Sequence, residues 1–141
     1  MVGHDGKCER LHGHSWRLTV ELAGDKLEEG GAKAGMIVDY YDIGRVVQPI
    51  IAGYLDHWHL NDTLQTDRPT SEFIARWAYE RLKPLLPALV AVTISETCTT
   101  SCRYAPLPYV SAYAALAEGV DRLGQKIEAM QPGDVLRGGL Q

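Results

Sequence analysis

The strict alternation of apolar and polar residues over 16–22 is the sequence feature that most restricts the fold of this chain. Because side chains of a strand point alternately to opposite faces, this pattern predicts a strand with one buried face. A run rich in β-branched residues predicts a second strand over 88–96, and a short last strand is expected near 103–105. The sequence therefore predicts at least three strands.

Two helices are expected between the first two strands. Apolar residues follow helical spacing over 43–54, where Asp39 or Asp42 is placed to cap the helix and Pro49 is expected to kink it. A second apolar stripe with helical spacing covers 73–82. The order strand, helix, helix, strand, strand predicts an α+β fold.

A chain of 141 residues fits one domain. We expect that domain to span 1–108. An apolar seam predicts a C-terminal helix over 109–131, which packs on its own domain or forms an oligomer contact. Residues 132–141 are expected to form a flexible tail.

Composition excludes several functional classes. The formal net charge of −4 argues against a protein whose main partner is nucleic acid. No apolar run approaches the roughly 20 residues of a membrane span, and no secretory signal is visible. Three cysteines, an odd number, are more typical of reduced thiols than of a disulfide framework, so we expect a cytoplasmic protein.

His12 and His14 are candidate zinc ligands, because residues two apart on an extended chain share a face. That face continues into the apolar face of the first strand, although core or surface histidines would show the same spacing. Cys8 lies four residues before His12 and is a candidate general base, or else a loop thiol without a task. Cys98 and Cys102 lack the spacing of redox or zinc sites and are interpreted as packing residues.

Two carboxylates are placed where they would act on a ligand or a proton. Asp56 precedes His57 and would fix the tautomer of its ring for proton transfer, while His59 would be structural. Two alternatives stay open: the histidines favour the end of a helix dipole, or His57 and His59 themselves bind a metal. Glu96 ends the apolar face of a strand, so it needs a partner. A ligand edge with two N–H donors or a salt bridge to Arg17 or Arg103 would satisfy it equally well.

Five fragments, in this order along the chain, resemble the 6-pyruvoyltetrahydropterin synthase family. They are CERLHGHSW (8–16), GMIVDY (35–40), LDHWHLND (55–62), RPTSE (68–72) and SETCTTSC (95–102). The short spacing in CERLHGH and the run ETCTTSC are most similar to the bacterial branch of that family, the 6-carboxytetrahydropterin synthases of the 7-deazaguanine (queuosine precursor) pathway.

The resemblance implies a fold, an assembly and a reaction. The fold would be the tunnelling fold (T-fold), an antiparallel sheet with two helices on one face, here lacking the first strand. Subunits would assemble as a trimer or hexamer, with active sites where subunits meet. The substrate would be 7,8-dihydroneopterin triphosphate, and a zinc ion would acidify its side-chain hydroxyls.

The resemblance also implies roles for single residues. His12 and His14 would bind zinc, and Cys8 would be the catalytic base. Asp56 and His57 match the family's proton relay, and Glu96 matches its pterin anchor. Thr70 and Ser71 match positions that contact the pterin. Thr70 and Ser71 are equally suited to capping a helix.

The sequence departs from the family pattern at one point. The family's first zinc ligand is a histidine in a strand upstream of the cysteine, and Cys8 has only seven residues before it. We expect a short start to explain this. Alternatively, His4 or a neighbouring subunit supplies the ligand, or the chain binds pterins without zinc chemistry.

Overall fold

Three antiparallel strands form one sheet in the order β1-β2-β3. They are β1 (Arg17–Leu22), β2 (Leu89–Ser95) and β3 (Ser101–Tyr104). The computed structural model describes residues 1–106, of which Met1–Ala105 form one compact unit. The helix predicted over 109–131 and the tail over 132–141 lie outside the described residues.

The strand register places apolar side chains on one face of the sheet. Leu18 is paired with Ile94, and Ile94 with Cys102 of the third strand. Paired residues share a face, so these side chains lie together, and Ile94 is fully covered. The opposite face is polar and carries an ion pair between Arg103 and Glu21 at 2.8 Å.

Three α-helices lie between β1 and β2. They are α1 (Tyr40–Ile50), α2 (Leu60–Thr63) and α3 (Ser71–Leu82). The Asp39 side chain accepts a hydrogen bond from the Tyr41 backbone N–H at 2.8 Å and so caps α1. The long helices match the prediction, whereas α2 lies in a polar stretch that carries no helical periodicity.

Pro49 lies inside α1, one residue before the last residue of the helix. Proline has no N–H to donate, so the regular bonding pattern fails at this position. The next residues, Ile51–Leu55, form a π-helical turn, closed by the Asp56 backbone N–H bonding to the Ile51 carbonyl at 2.8 Å. The predicted continuous helix through residue 54 is therefore an α-helix followed by a wider turn.

The core lies between the sheet and α3, which packs on β2 and β3, with α1 beside it. The buried core residues are Val47, Leu64, Ile74, Ala75, Ala78, Tyr79, Leu82, Leu86, Leu89, Val92 and Ile94. Members from both long helices and the central strand are included. Both helices therefore cover the same face of the sheet.

The first strand begins at Arg17 rather than at Trp16. Arg17 is paired with Ser95, the last residue of β2, so residues before Arg17 run past the end of their partner strand. Trp16 nevertheless packs against the core, as its position in the alternation predicts. In residues 1–106 no helix is long and apolar enough to cross a membrane.

The cysteines predicted to be packing residues differ in their surroundings. Cys102 packs against the core on β3, and burial, with a smaller contribution from the Glu72 carboxylate, raises the pKa of its thiol. Cys98 lies in the loop between β2 and β3 and is exposed. The packing interpretation therefore fits Cys102 and is wrong for Cys98.

We expect Cys98 to react with iodoacetamide at pH 8 at least about tenfold faster than Cys102, because the thiolate is the reactive form and Cys102 is both shielded and less acidic than an ordinary thiol. Mass spectrometry of labelled peptides measures each site separately. Equal rates at the two sites would show that Cys102 does not face the helices.

Candidate functional site

A cavity of about 1020 Å³ opens beside the end of β2. Its walls come from the segment before β1, from the loop after the π-helical turn, from the start of α3 and from the residue that follows β2. All eight residues to which the family resemblance assigns a role line it, namely Cys8, His12, His14, Asp56, His57, Thr70, Ser71 and Glu96. The fold thus brings together side chains separated by up to 88 positions (96 − 8).

Glu96 contacts His14, and both side chains line the cavity. Glu96 Oε1 lies 2.9 Å from His14 Nδ1, and the two side chains are 32% and 27% exposed. The register explains the contact: continuing the β1–β2 pairing by one step sets Glu96 opposite Trp16, and His14 lies two residues earlier on the same face.

The surroundings of Glu96 differ in two respects from those considered in the sequence analysis. The carboxylate is half-exposed rather than buried, because it lies one residue beyond the end of β2, where the sheet no longer covers it. Its recorded partner is a histidine and not Arg17 or Arg103; Arg103 pairs with Glu21 on the opposite face of the sheet.

The His12 and His14 rings lie edge to face, with centroids 4.6 Å apart, and the His14 ring lies 5.0 Å from that of Trp16. The three rings form a row, as expected for positions two apart on an extended chain. His12 Nδ1 contacts the Arg10 carbonyl oxygen. Both histidines precede β1 instead of lying within it; His12 is exposed, whereas the His14 side chain is partly covered.

The zinc site expected at His12 and His14 was compared with the side chains that surround them. A catalytic zinc takes three protein ligands, and His12 and His14 offer two neighbouring imidazoles. Across residues 1–106, no three His, Cys, Asp or Glu side chains are grouped closely enough to hold a metal. His4 lines a separate depression, where its Nδ1 accepts a hydrogen bond from the Gly6 backbone N–H at 2.8 Å. Residues 1–106 therefore do not by themselves form a three-ligand metal site.

Cys8 is the cysteine that lines the cavity; Cys98 and Cys102 are not part of its wall. It lies in a single turn of 3-10 helix, Lys7–Glu9, and is a half-buried free thiol. The N-terminal amine of Met1 donates a hydrogen bond to the Cys8 carbonyl at 2.7 Å and fixes the backbone there. A thiol so placed has access to a bound ligand.

Asp56 and His57 form a carboxylate–imidazole pair directly after the π-helical turn. Asp56 Oδ1 lies 2.7 Å from His57 Nδ1, and the His57 side chain is 92% exposed. A carboxylate accepts, so Nδ1 carries the proton and Nε2 is directed elsewhere. The His57 backbone has a φ of 59°, in the left-handed region that non-glycine residues seldom adopt.

A second carboxylate–imidazole pair follows immediately and was not predicted. His59 Nδ1 lies 2.9 Å from Asp62 Oδ2, and His59 lines the same cavity. Trp58, between the two histidines, also lines the cavity and is 54% exposed. The spacing of three between His59 and Asp62, typical of contacts across one helical turn, is the signal in the sequence that identifies this pair.

Thr70 and Ser71 line the cavity from the start of α3. The Thr70 hydroxyl oxygen accepts a hydrogen bond from the Phe73 backbone N–H at 3.2 Å, which makes it the N-cap of that helix. Its hydroxyl proton is still available to a ligand. The capping role and a ligand-binding role are therefore compatible for Thr70.

Comparison with known proteins assigns a family. The profile described as 6-pyruvoyl tetrahydropterin synthase matches residues 1–106. The chain is 43% identical over 102 residues to the 6-carboxy-5,6,7,8-tetrahydropterin synthase of Synechocystis sp., covering 72% of this chain and 79% of that protein. It is 34% identical over 127 residues to the 6-carboxy-5,6,7,8-tetrahydropterin synthase of Haemophilus influenzae, covering 74% and 88%.

A solved structure agrees with this. The 6-pyruvoyl tetrahydropterin synthase of Caenorhabditis elegans superposes with a TM-score of 0.62 at 28% identity, over 72% of this chain and 74% of that one. The α+β T-fold expected from the sequence is thereby confirmed. The matches in sequence and in structure lead to the same conclusion: the chain belongs to the 6-pyruvoyl tetrahydropterin synthase family.

Proposed function

We propose that this protein is a zinc-dependent lyase that converts 7,8-dihydroneopterin triphosphate to 6-carboxy-5,6,7,8-tetrahydropterin in queuosine biosynthesis. The observation that carries the proposal is the composition of the cavity wall: a thiol, two neighbouring imidazoles, a carboxylate–imidazole pair and a further carboxylate line one space. The names of the Synechocystis and Haemophilus relatives support the same reaction.

Glu96 is proposed to anchor the pterin. The pterin ring presents adjacent N–H donors along one edge, and a carboxylate accepts two such bonds side by side. Glu96 already holds a half-exposed position in the cavity with one oxygen on His14. Thr70 and Ser71 contribute hydroxyl groups from the start of α3, where they would contact the same ring.

Cys8 is proposed to act as the general base. As thiolate it takes a proton from the substrate side chain, which is the step that starts bond cleavage. His57 delivers or accepts the second proton through Nε2, and Asp56 holds the ring in the required tautomer.

Zinc dependence is the part of the proposal for which the described residues are incomplete. His12 and His14 would be two of the ligands, and a third has to come from elsewhere, such as another copy of the chain. When bound, the ion would act as a Lewis acid on the side-chain oxygens. The steps assigned to Cys8 and His57 do not depend on that geometry.

The proposal includes an assembly and a location. We place the protein in the cytoplasm as a homo-oligomer, a trimer or hexamer, whose partner is the small pterin substrate. The acidic net charge of −4 and the three free cysteines support a protein of a reducing compartment that does not act on nucleic acid.

Replacement of Cys8 should separate catalysis from binding. We expect Cys8→Ala to lower kcat by about 100-fold or more, the loss typical of a missing general base, while the Kd for 7,8-dihydroneopterin stays within about twofold. Cys98→Ala, which removes an exposed thiol outside the cavity, is the matched control. Unchanged turnover in Cys8→Ala would remove Cys8 from the mechanism.

Replacement of Glu96 should affect binding instead. We expect Glu96→Ala to raise the Kd for 7,8-dihydroneopterin by about 10- to 100-fold, since a charge-assisted pair of hydrogen bonds is lost. Fluorescence titration of the pterin measures this. Glu80→Ala is the control, because that carboxylate pairs with Arg76 on the exposed side of α3. A Kd that does not change would exclude the anchor role.

A pterin-binding protein without lyase activity is the alternative that the incomplete ligand set favours. Zinc content per subunit separates the two: the lyase is expected to hold close to one zinc per subunit, and loss of that metal on chelation should abolish turnover. Protein that turns over substrate with no metal bound would contradict the zinc-dependent scheme. Product analysis distinguishes both from a 6-pyruvoyltetrahydropterin synthase, which uses the same residues.

A further inference from the structure

Three side chains outside the cavity form a stacked cluster between α3 and the π-helical turn, with Trp77 half-buried against the core and Arg81 exposed. The Arg81 guanidinium carbon lies 4.5 Å from the centroid of the Trp77 ring and 4.9 Å from that of Tyr54. The two rings meet edge to face, with centroids 5.4 Å apart. A cation over two aromatic faces is attracted to both, so the cluster links two segments of the chain.

The two segments are α3, which carries Trp77 and Arg81, and the π-helical turn Ile51–Leu55, which carries Tyr54. The cavity wall includes none of these three side chains. Their contact with each other therefore acts on the site only through the backbone that they hold. The same turn is tied on its other side, where the Thr63 hydroxyl donates a hydrogen bond to the Tyr54 carbonyl at 2.7 Å.

The π-helical turn leads directly into the Asp56–His57 pair. Two hydrogen bonds return from this segment to the turn: the Asp56 backbone N–H donates to the Ile51 carbonyl at 2.8 Å, and the Trp58 indole N–H donates to the Ala52 carbonyl at 2.9 Å. Between these bonds His57 holds its left-handed backbone. Such a conformation persists when the surrounding structure enforces it.

We propose that Tyr54, Trp77 and Arg81 form a brace that positions the Asp56–His57 pair in the cavity. By fixing the π-helical turn against α3, the brace sets the left-handed backbone at His57 and the orientation of its ring. This inference rests on the proposed function for its kinetic consequence, and on the structure alone for the geometry of His57. Arg81 and Trp77 are positioning residues, since they act through the turn.

The test uses Arg81→Met, which keeps the apolar stem of the side chain and removes the cation. Arg81→Lys restores a cation and serves as the rescue. Arg76→Met is the matched control: it removes an arginine from the same helix, one that pairs with Glu80 instead of contacting the turn. Trp77→Phe weakens the stack by a smaller change and replaces Arg81→Met if that variant does not fold.

Two readouts distinguish positioning from general stability. The first is the ¹⁵N NMR spectrum of the imidazole rings at fixed pH, with His57 assigned from a His57→Gln sample, which reports whether Nδ1 still carries the proton held by Asp56. The second is the split between kcat and KM for 7,8-dihydroneopterin triphosphate. A small displacement of a proton-transfer group lowers kcat without weakening ligand binding.

In Arg81→Met we expect the His57 resonances to lose the pattern of a fixed Nδ1–H, and kcat to fall about tenfold with KM within about twofold. Arg81→Lys should recover most of both, and Arg76→Met should leave both as in the original protein. An unchanged His57 spectrum in Arg81→Met, or equal changes in Arg76→Met, would overturn the brace. If the original protein does not turn over this substrate, the proposed function fails while the His57 spectrum still decides this inference.

Discussion

The antiparallel register between β1 and β2 is the constraint on which the site depends. Leu18 opposite Ile94 aligns the two apolar faces under the helices, and that alignment is stabilised by burial. The same alignment leaves Glu96 just beyond the ladder on the face that also bears His14. A shift of the register by one residue would turn these two side chains to opposite faces. The β1–β2 register therefore determines both the packing of the core and the geometry of the site.

The rest of the cavity is built where regular structure ends. Helix α1 ends at Ile50, and the π-helical turn that follows leads into Asp56 and His57, which line the cavity. At the start of α3, Thr70 caps the helix N-terminus and lines the same cavity. At the ends of strands and helices, side chains are free to contact a ligand, whereas the interior positions of these elements are used for packing.

The sequence predicted the features that follow from local periodicity and capping, such as the alternation that begins at Trp16 and the cap at Asp39. It did not predict features that depend on pairing partners. The strand begins at Arg17 because β2 is already ending, and Glu96 is half-exposed for the same reason. The His59–Asp62 pair was missed because it rests on a short helix with no apolar period. Side-chain partners across the sheet are set by register, which no local pattern specifies.

The central claim is that Cys8, His12, His14 and Glu96 surround one pterin-sized ligand. A crystal structure of the protein with 7,8-dihydroneopterin tests it most directly. The account predicts the N–H edge of the pterin within hydrogen-bond distance of the Glu96 carboxylate, and its side chain next to the Cys8 thiol. A pterin bound elsewhere, with Glu96 making no contact to it in any copy, would contradict the account.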